Sequence, residues 1–151
     1  MGDNVLLQLA ASMVISAGFS MIYSIKLSRL PFVAAGGGLT LLIHLILINI
    51  SGSQYASLVP AAGFAVFYAE LMAIMLKAPA VVFLVPSIMP LLPGRKLYKA
   101  MHSLVTGNVP VFIDYGIQTL KIAVGIAAGI LVSEALVYFI RSLNKKAQTG
   151  R

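Results

Sequence analysis

The sequence predicts an all-α, polytopic integral membrane protein, and three observations predict it. Of the 151 residues, 60% are hydrophobic and 10% are charged, where soluble domains carry ~45–50% apolar and ~25% charged residues. The mean hydropathy is +0.97, and a soluble fold of this size could not hide so much apolar surface, because small domains keep much of their area in water. The basic residues stand almost entirely between the apolar runs: Lys26 and Arg29, Lys77, Arg95, Lys96 and Lys99, then Arg141, Lys145, Lys146 and Arg151. Helix ends meet headgroups and water at such places. The lipid bilayer is the first partner implied.

A single transmembrane domain, 1–151, is expected to hold about five hydrophobic segments. Segment one, 5–25, is uncharged and long enough to cross a ~30 Å hydrocarbon core. Segment two, 32–50, opens with Gly36-Gly37-Gly38 and carries Thr40 and His44 on one face, with Asn49 near its end. Segment three, 55–76, holds one charge, Glu70. Segment four, 79–93, is too short for an ordinary span of ~20 residues and contains Pro79, Pro86, Pro90 and Pro93, followed by Gly94. Proline inside a helix removes a hydrogen bond and clashes with the preceding turn. In lipid the freed carbonyl must be answered by protein or trapped water. A Pro-broken or re-entrant helix packed inside the protein is therefore expected, a simple kinked helix being the alternative.

Residues 95–106 follow, with Leu97, Met101, Leu104 and Val105 at helical spacing and Arg95, Lys96, Lys99 and His102 on other faces. This reads as an interfacial amphipathic helix stopped by Gly107-Asn108. Asp114 then stands where an N-cap for segment five, 115–140, belongs, and a basic tail fills 141–151. With five crossings, one side receives seven basic residues and the other receives Arg95, Lys96 and Lys99, which puts the C-terminus in the cytoplasm. With a re-entrant segment four the bias shrinks to 6 against 4.

Helices in lipid associate through small residues and interhelical hydrogen bonds. Ser12, Ser16, Ser20 and Ser24 form an i+4 ladder in segment one; Ser57, Ala61, Ala65, Ala69 and Ala73 form one in segment three; Gly125 and Gly129 make a GxxxG pattern in segment five. They predict a tightly packed bundle, or contacts of a homo-oligomer.

Several function classes drop out. The net charge of +7 does not make a nucleic-acid binder, since no basic face with interleaved aromatics occurs. With no cysteine, disulfides, thiolate catalysis and Cys-ligated metals are excluded. The start, Met-Gly-Asp-Asn, lacks the positive region of a cleavable signal peptide, and Leu6 breaks the myristoylation pattern. No phosphate loop, HExxH or nucleophile–base–orienter trio is present, so neither enzyme activity, cofactor nor metal is expected.

What remains is a solute path. Glu70, about 10 Å before Lys77 along the helix, is costly in the membrane unless protonated, paired or facing water. It is the candidate for proton coupling, against a purely structural hydrogen bond. Gln118 and Lys121 share a polar, small-residue face with Asp114, Gly125 and Gly129; Lys121 either lines a pathway or snorkels to the interface. The Pro-rich break, Pro86, Ser87, Pro90, Pro93 and Gly94, would expose backbone groups at membrane depth, where transporters bind substrates and ions. Thr40, His44, Tyr98 and Asp114 are weaker path candidates, a lone membrane histidine such as His44 being more often a packed, hydrogen-bonded residue than a proton relay.

The run Ala69-Glu70, Lys77-Ala78-Pro79-Ala80, Pro90-Leu91-Leu92-Pro93-Gly94 and Tyr98 resembles the threonine/serine exporter family, specifically the small single-repeat subunit of its two-component type. Ala17-Gly18-Phe19 and Thr119-Leu120-Lys121-Ile122-Ala123 are similar as well. The resemblance implies an inner-membrane, proton-driven exporter of small polar solutes, threonine and serine or a dicarboxylate such as succinate, acting with a larger membrane subunit. A scaffold subunit without its own path and a small homo-oligomeric channel are the competing readings.

Overall fold

A computed structural model describes residues 2–23 and 25–149, and the side-chain surroundings of residues 5–23 and 25–142. Six α-helices occur among them: α1 (Gly2–Ile22), α2 (Leu30–Ser51), α3 (Leu58–Leu76), α4 (Val81–Ile88), α5 (Gly94–Val105) and α6 (Val109–Thr149). Short 3-10 turns, Leu27–Arg29 and Met89–Leu91, precede α2 and follow α4. The chain is all-α, as the sequence predicts. Four stretches are long and apolar enough to cross a membrane, Val5–Ile22, Leu27–Ser51, Leu58–Leu76 and Val109–Ser142, while Val81–Leu91 is apolar but short.

Burial runs opposite to that of a soluble protein. On α1, Ser12, Ser16 and Ser20 are buried, whereas Leu6, Leu7, Val14 and Ile22 are each at least 70% exposed. Large apolar side chains face outward and small residues face inward, which suits a lipid solvent. Ser24, the last rung of the serine ladder, lies outside the described residues.

The small residues set the spacing between helices. A Cβ on Gly37 would overlap Ser16 Oγ, and one on Gly36 would overlap Ser87 Oγ, so α2 lies close against both α1 and α4. A Cβ on Gly129 would overlap the Val59 carbonyl oxygen and come within 2.9 Å of Ala62 Cβ, and one on Gly125 would touch Leu58 at 3.4 Å. The Gly125/Gly129 pair is thus turned toward α3 of the same chain. Leu58 opposite Gly125, Gly63 opposite Ser133 and Glu70 beside Arg141 put α3 and α6 parallel.

Segment four is Pro-broken. Its α-helical part ends at Ile88, a 3-10 turn holds Pro90, and Leu92 is extended. Phe83 packs with Val33, Ala69 and Met72; Leu91 packs with Leu58 and Ile122; Lys96 Nζ donates to Gln54 Oε1 at 3.4 Å. The segment therefore runs from the end of the bundle where α3 finishes to the end where α3 begins. It does not turn back.

Two boundaries differ from expectation. The last helix begins at Val109, not near 115, because Asn108 Oδ1 accepts from the Val111 N–H at 3.4 Å and Pro110 suits a first turn. Asp114 is consequently no N-cap: it lies inside α6 and accepts from Gln118 Nε2 at 2.9 Å. The helix also continues to Thr149 instead of stopping at 140, since neither Gly nor Pro occurs between Ile140 and Gly150. The residues read as a basic tail are therefore helical as far as Thr149, and Gly150 and Arg151 lie outside the described residues.

Candidate functional site

The two inner prolines of segment four determine what its backbone can offer. Pro90 has no N–H, so the carbonyl of Pro86, four residues earlier, loses its helical partner. Ser16 Oγ, arriving from α1, donates to that carbonyl at 2.8 Å in a buried setting. Ser87 Oγ donates to the Phe83 carbonyl at 2.7 Å. The break is held by protein side chains, and it redirects the chain below Pro90.

A pocket of about 350 Å³ opens directly beneath the break. Pro90, Pro93 and Gly94 form its proline-rich wall, Leu41, Leu58 and Ile122 its apolar one, and His44, Gln54, Arg95 and Lys96 supply its polar groups. Ligand pockets commonly measure ~300–1,000 Å³. The side chains lining it include two cations and no carboxylate. Lys96 Nζ lies 5.5 Å and Lys121 Nζ 5.8 Å from the centroid of the Tyr55 ring, close enough for a cation–π attraction. Tyr55 thus gathers a third cation to the same end of the bundle.

Of the path candidates, Pro90, Pro93, Gly94 and His44 line this pocket, and Lys121 stands beside it across Tyr55. Pro86 and Ser87 lie deeper, fully buried next to α1 and α2. Thr40 is fully buried too, and its Oγ1 is the sole sealed side-chain polar atom without a partner among the described residues. Gln118 and Asp114 pair with each other on α6, and Tyr98 is exposed on α5. Ser12, Ser16, Ser20, Ala65 and Ala69 are buried between helices.

Glu70 is not in the pocket. It is paired with Arg141 of α6, the carboxylate mostly covered and the guanidinium more than half exposed. Lys121 and Arg141 are 20 positions apart on one helix, about 30 Å at 1.5 Å per residue, so Glu70 and the pocket occupy opposite ends of the bundle. Arg29 also lies at the Glu70 end, its guanidinium donating to the Leu76 carbonyl at 3.3 Å.

Sequence reasoning missed Gln54, Arg95 and Lys96 as pocket residues, Tyr55 as the ring beside Lys96 and Lys121, and Arg141 as the partner of Glu70. Arg95 and Lys96 directly after Pro93-Gly94 carried the only available signal, but that pattern equally describes a headgroup anchor.

The fold defines a multi-pass membrane protein. The chain belongs to the threonine/serine exporter family: the family model described as Threonine/Serine exporter, ThrE, matches residues 8–136. Comparison with curated proteins finds no match, and neither does comparison with solved structures.

Proposed function

We propose that this chain is one subunit of a proton-coupled secondary exporter of small carboxylate-bearing solutes, either threonine and serine or a dicarboxylate such as succinate. A larger membrane subunit of the same family completes it, in the inner membrane. The observation that carries this reading is the pocket beneath the Pro90 break, where Arg95 and Lys96 converge and no acidic side chain opposes them. A carboxylate entering it meets two cations, whose charge-assisted hydrogen bonds are roughly twice as strong as neutral ones.

The basic residues give the direction. Among the described residues six of them, Lys26, Arg29, Lys77, Arg141, Lys145 and Lys146, belong to the Glu70 end, against Arg95, Lys96, Lys99 and Lys121 at the pocket end. By the positive-inside rule the Glu70 end and the C-terminus face the cytoplasm, so the pocket faces outward, ready to release solute. Glu70 handles the proton: protonating it frees Arg141 and loosens the cytoplasmic end of α6 from α3. This division puts solute release and proton exchange at opposite ends of one parallel helix pair.

Efflux of preloaded threonine, serine and succinate, followed with the chain and its larger partner together and apart, tests the proposal. Export of at least one solute is expected only with both chains, at a rate set by the pH gradient. With Glu70→Gln the rate stops following that gradient. Equal efflux with and without this chain would refute the assignment.

A further inference from the structure

The same pocket holds a histidine whose ring is tied to a neighbouring serine. Ser57 has one hydroxyl hydrogen, and its Oγ lies 2.9 Å from the Gln54 carbonyl oxygen and 3.1 Å from His44 Nδ1. A carbonyl can only accept, and Gln54 offers the shorter contact; with the hydroxyl hydrogen directed there, Ser57 Oγ accepts from the imidazole. In that arrangement Nδ1 carries the hydrogen and Nε2 is a bare lone pair. Nε2 has no hydrogen-bond partner among the described residues and is not among the sealed atoms. It meets the pocket that His44 lines.

We propose that His44 Nε2 is the specificity-determining acceptor of the pocket, taking a hydrogen from the ammonium or hydroxyl group of a solute whose carboxylate is held by Arg95 and Lys96. This rests on the export reading above and narrows it to amino and hydroxy acids over plain dicarboxylates. The other side-chain acceptor in the wall, Gln54 Oε1, is already engaged by Lys96 Nζ. One turn farther along the same face of α2, about 6 Å deeper, Thr40 Oγ1 is buried without a partner. It is the next polar group a solute moving inward would meet. The charged groups around His44 are Arg95 and Lys96 of α5, with Lys121 of α6 beyond Tyr55.

The selectivity follows from the cost of mismatched hydrogen bonding. A site built to pair a donor discriminates strongly against ligands lacking one, because its acceptor is then left buried and unanswered. Protonation reverses the preference. The imidazolium has no acceptor, repels an ammonium and attracts a second carboxylate.

Calorimetric titration of the full chain in nanodiscs with L-threonine, L-lactate and succinate tests this. At pH 7.5 the wild type is expected to favour threonine and lactate over succinate. His44→Leu then weakens threonine and lactate about tenfold, equivalent to ~1.4 kcal/mol, while succinate changes less than twofold. His44→Gln, which keeps an acceptor, retains most of the threonine affinity and guards against misfolding as the cause. A pH low enough to protonate His44 weakens threonine and strengthens succinate in the wild type alone. Equal loss of all three probes in His44→Leu, unchanged affinities, or no binding of any probe to the wild type would each overturn the assignment. Selective binding without efflux in the transport assay would instead overturn export and leave His44 in place.

Discussion

Ser16 and Ser20 are two rungs of one ladder, yet they answer to different physics. Ser16 Oγ reaches another helix and satisfies the Pro86 carbonyl, whereas Ser20 Oγ donates within its own helix to the Ala17 carbonyl at 2.6 Å. Removing Ser16 strands a buried acceptor, which costs about 1–3 kcal/mol. Ser16→Ala is therefore expected to lower Tm in detergent by about 2–4 °C for each kcal/mol lost, while Ser20→Ala moves it little. Glu70 behaves differently again. Its partner Arg141 is more than half exposed, so Coulomb attraction is screened and the pair contributes at most about 1 kcal/mol. Glu70→Gln should leave Tm within a few degrees of wild type while abolishing the pH dependence of export. A large fall in Tm would mark Glu70 as structural instead.

Among the helices, the glycines of α6 separate packing from propensity. Gly129 lies against the Val59 carbonyl, whereas Gly116 has open space where a Cβ would stand. Gly116→Ala should stabilise by about 0.5–1 kcal/mol through helix propensity. Gly129→Ala should destabilise by about 1–3 kcal/mol through overpacking, read as opposite shifts in thermal unfolding. The broken fourth segment was legible from the sequence because proline acts locally: the spacing of Pro86, Pro90 and Pro93 fixes where hydrogen bonds fail. The limits of α6 were not, because Asn108 and Asp114 are both good capping residues and only the folded chain selects one. Arg141 as the partner of Glu70 was also out of reach. The two lie 71 positions apart, and their meeting depends on the parallel register of α3 and α6, which no local pattern encodes. The pocket cations were seen but read as anchors, since Arg and Lys at a helix boundary serve either purpose.

For the molecule as a whole, the charge asymmetry between the two ends predicts its orientation. The chain contains no cysteine, so single substitutions report cleanly. Asn108→Cys, in the turn between α5 and α6, should react with a membrane-impermeant thiol reagent added outside intact cells. Lys26→Cys should react only after the cytoplasmic side is opened. The reverse pattern would invert the topology and turn the pocket inward. The membrane class itself was written in composition and charge placement, because the solvent a chain requires follows from its total apolar surface. The way that chain folds back on itself shows only in the parallel pairing of α3 with α6 and the crossing of the broken segment between them.

The central claim is that a carboxylate-bearing solute occupies the space beneath the Pro90 break. Leu92 lines that space and is itself half exposed, so Leu92→Cys places one thiol at the pocket wall. Its rate of alkylation by N-ethylmaleimide, measured with and without saturating threonine, serine or succinate, reads occupancy directly. Slowing by at least one of these solutes and none by glucose is the result expected. A rate that no carboxylate alters would contradict the account.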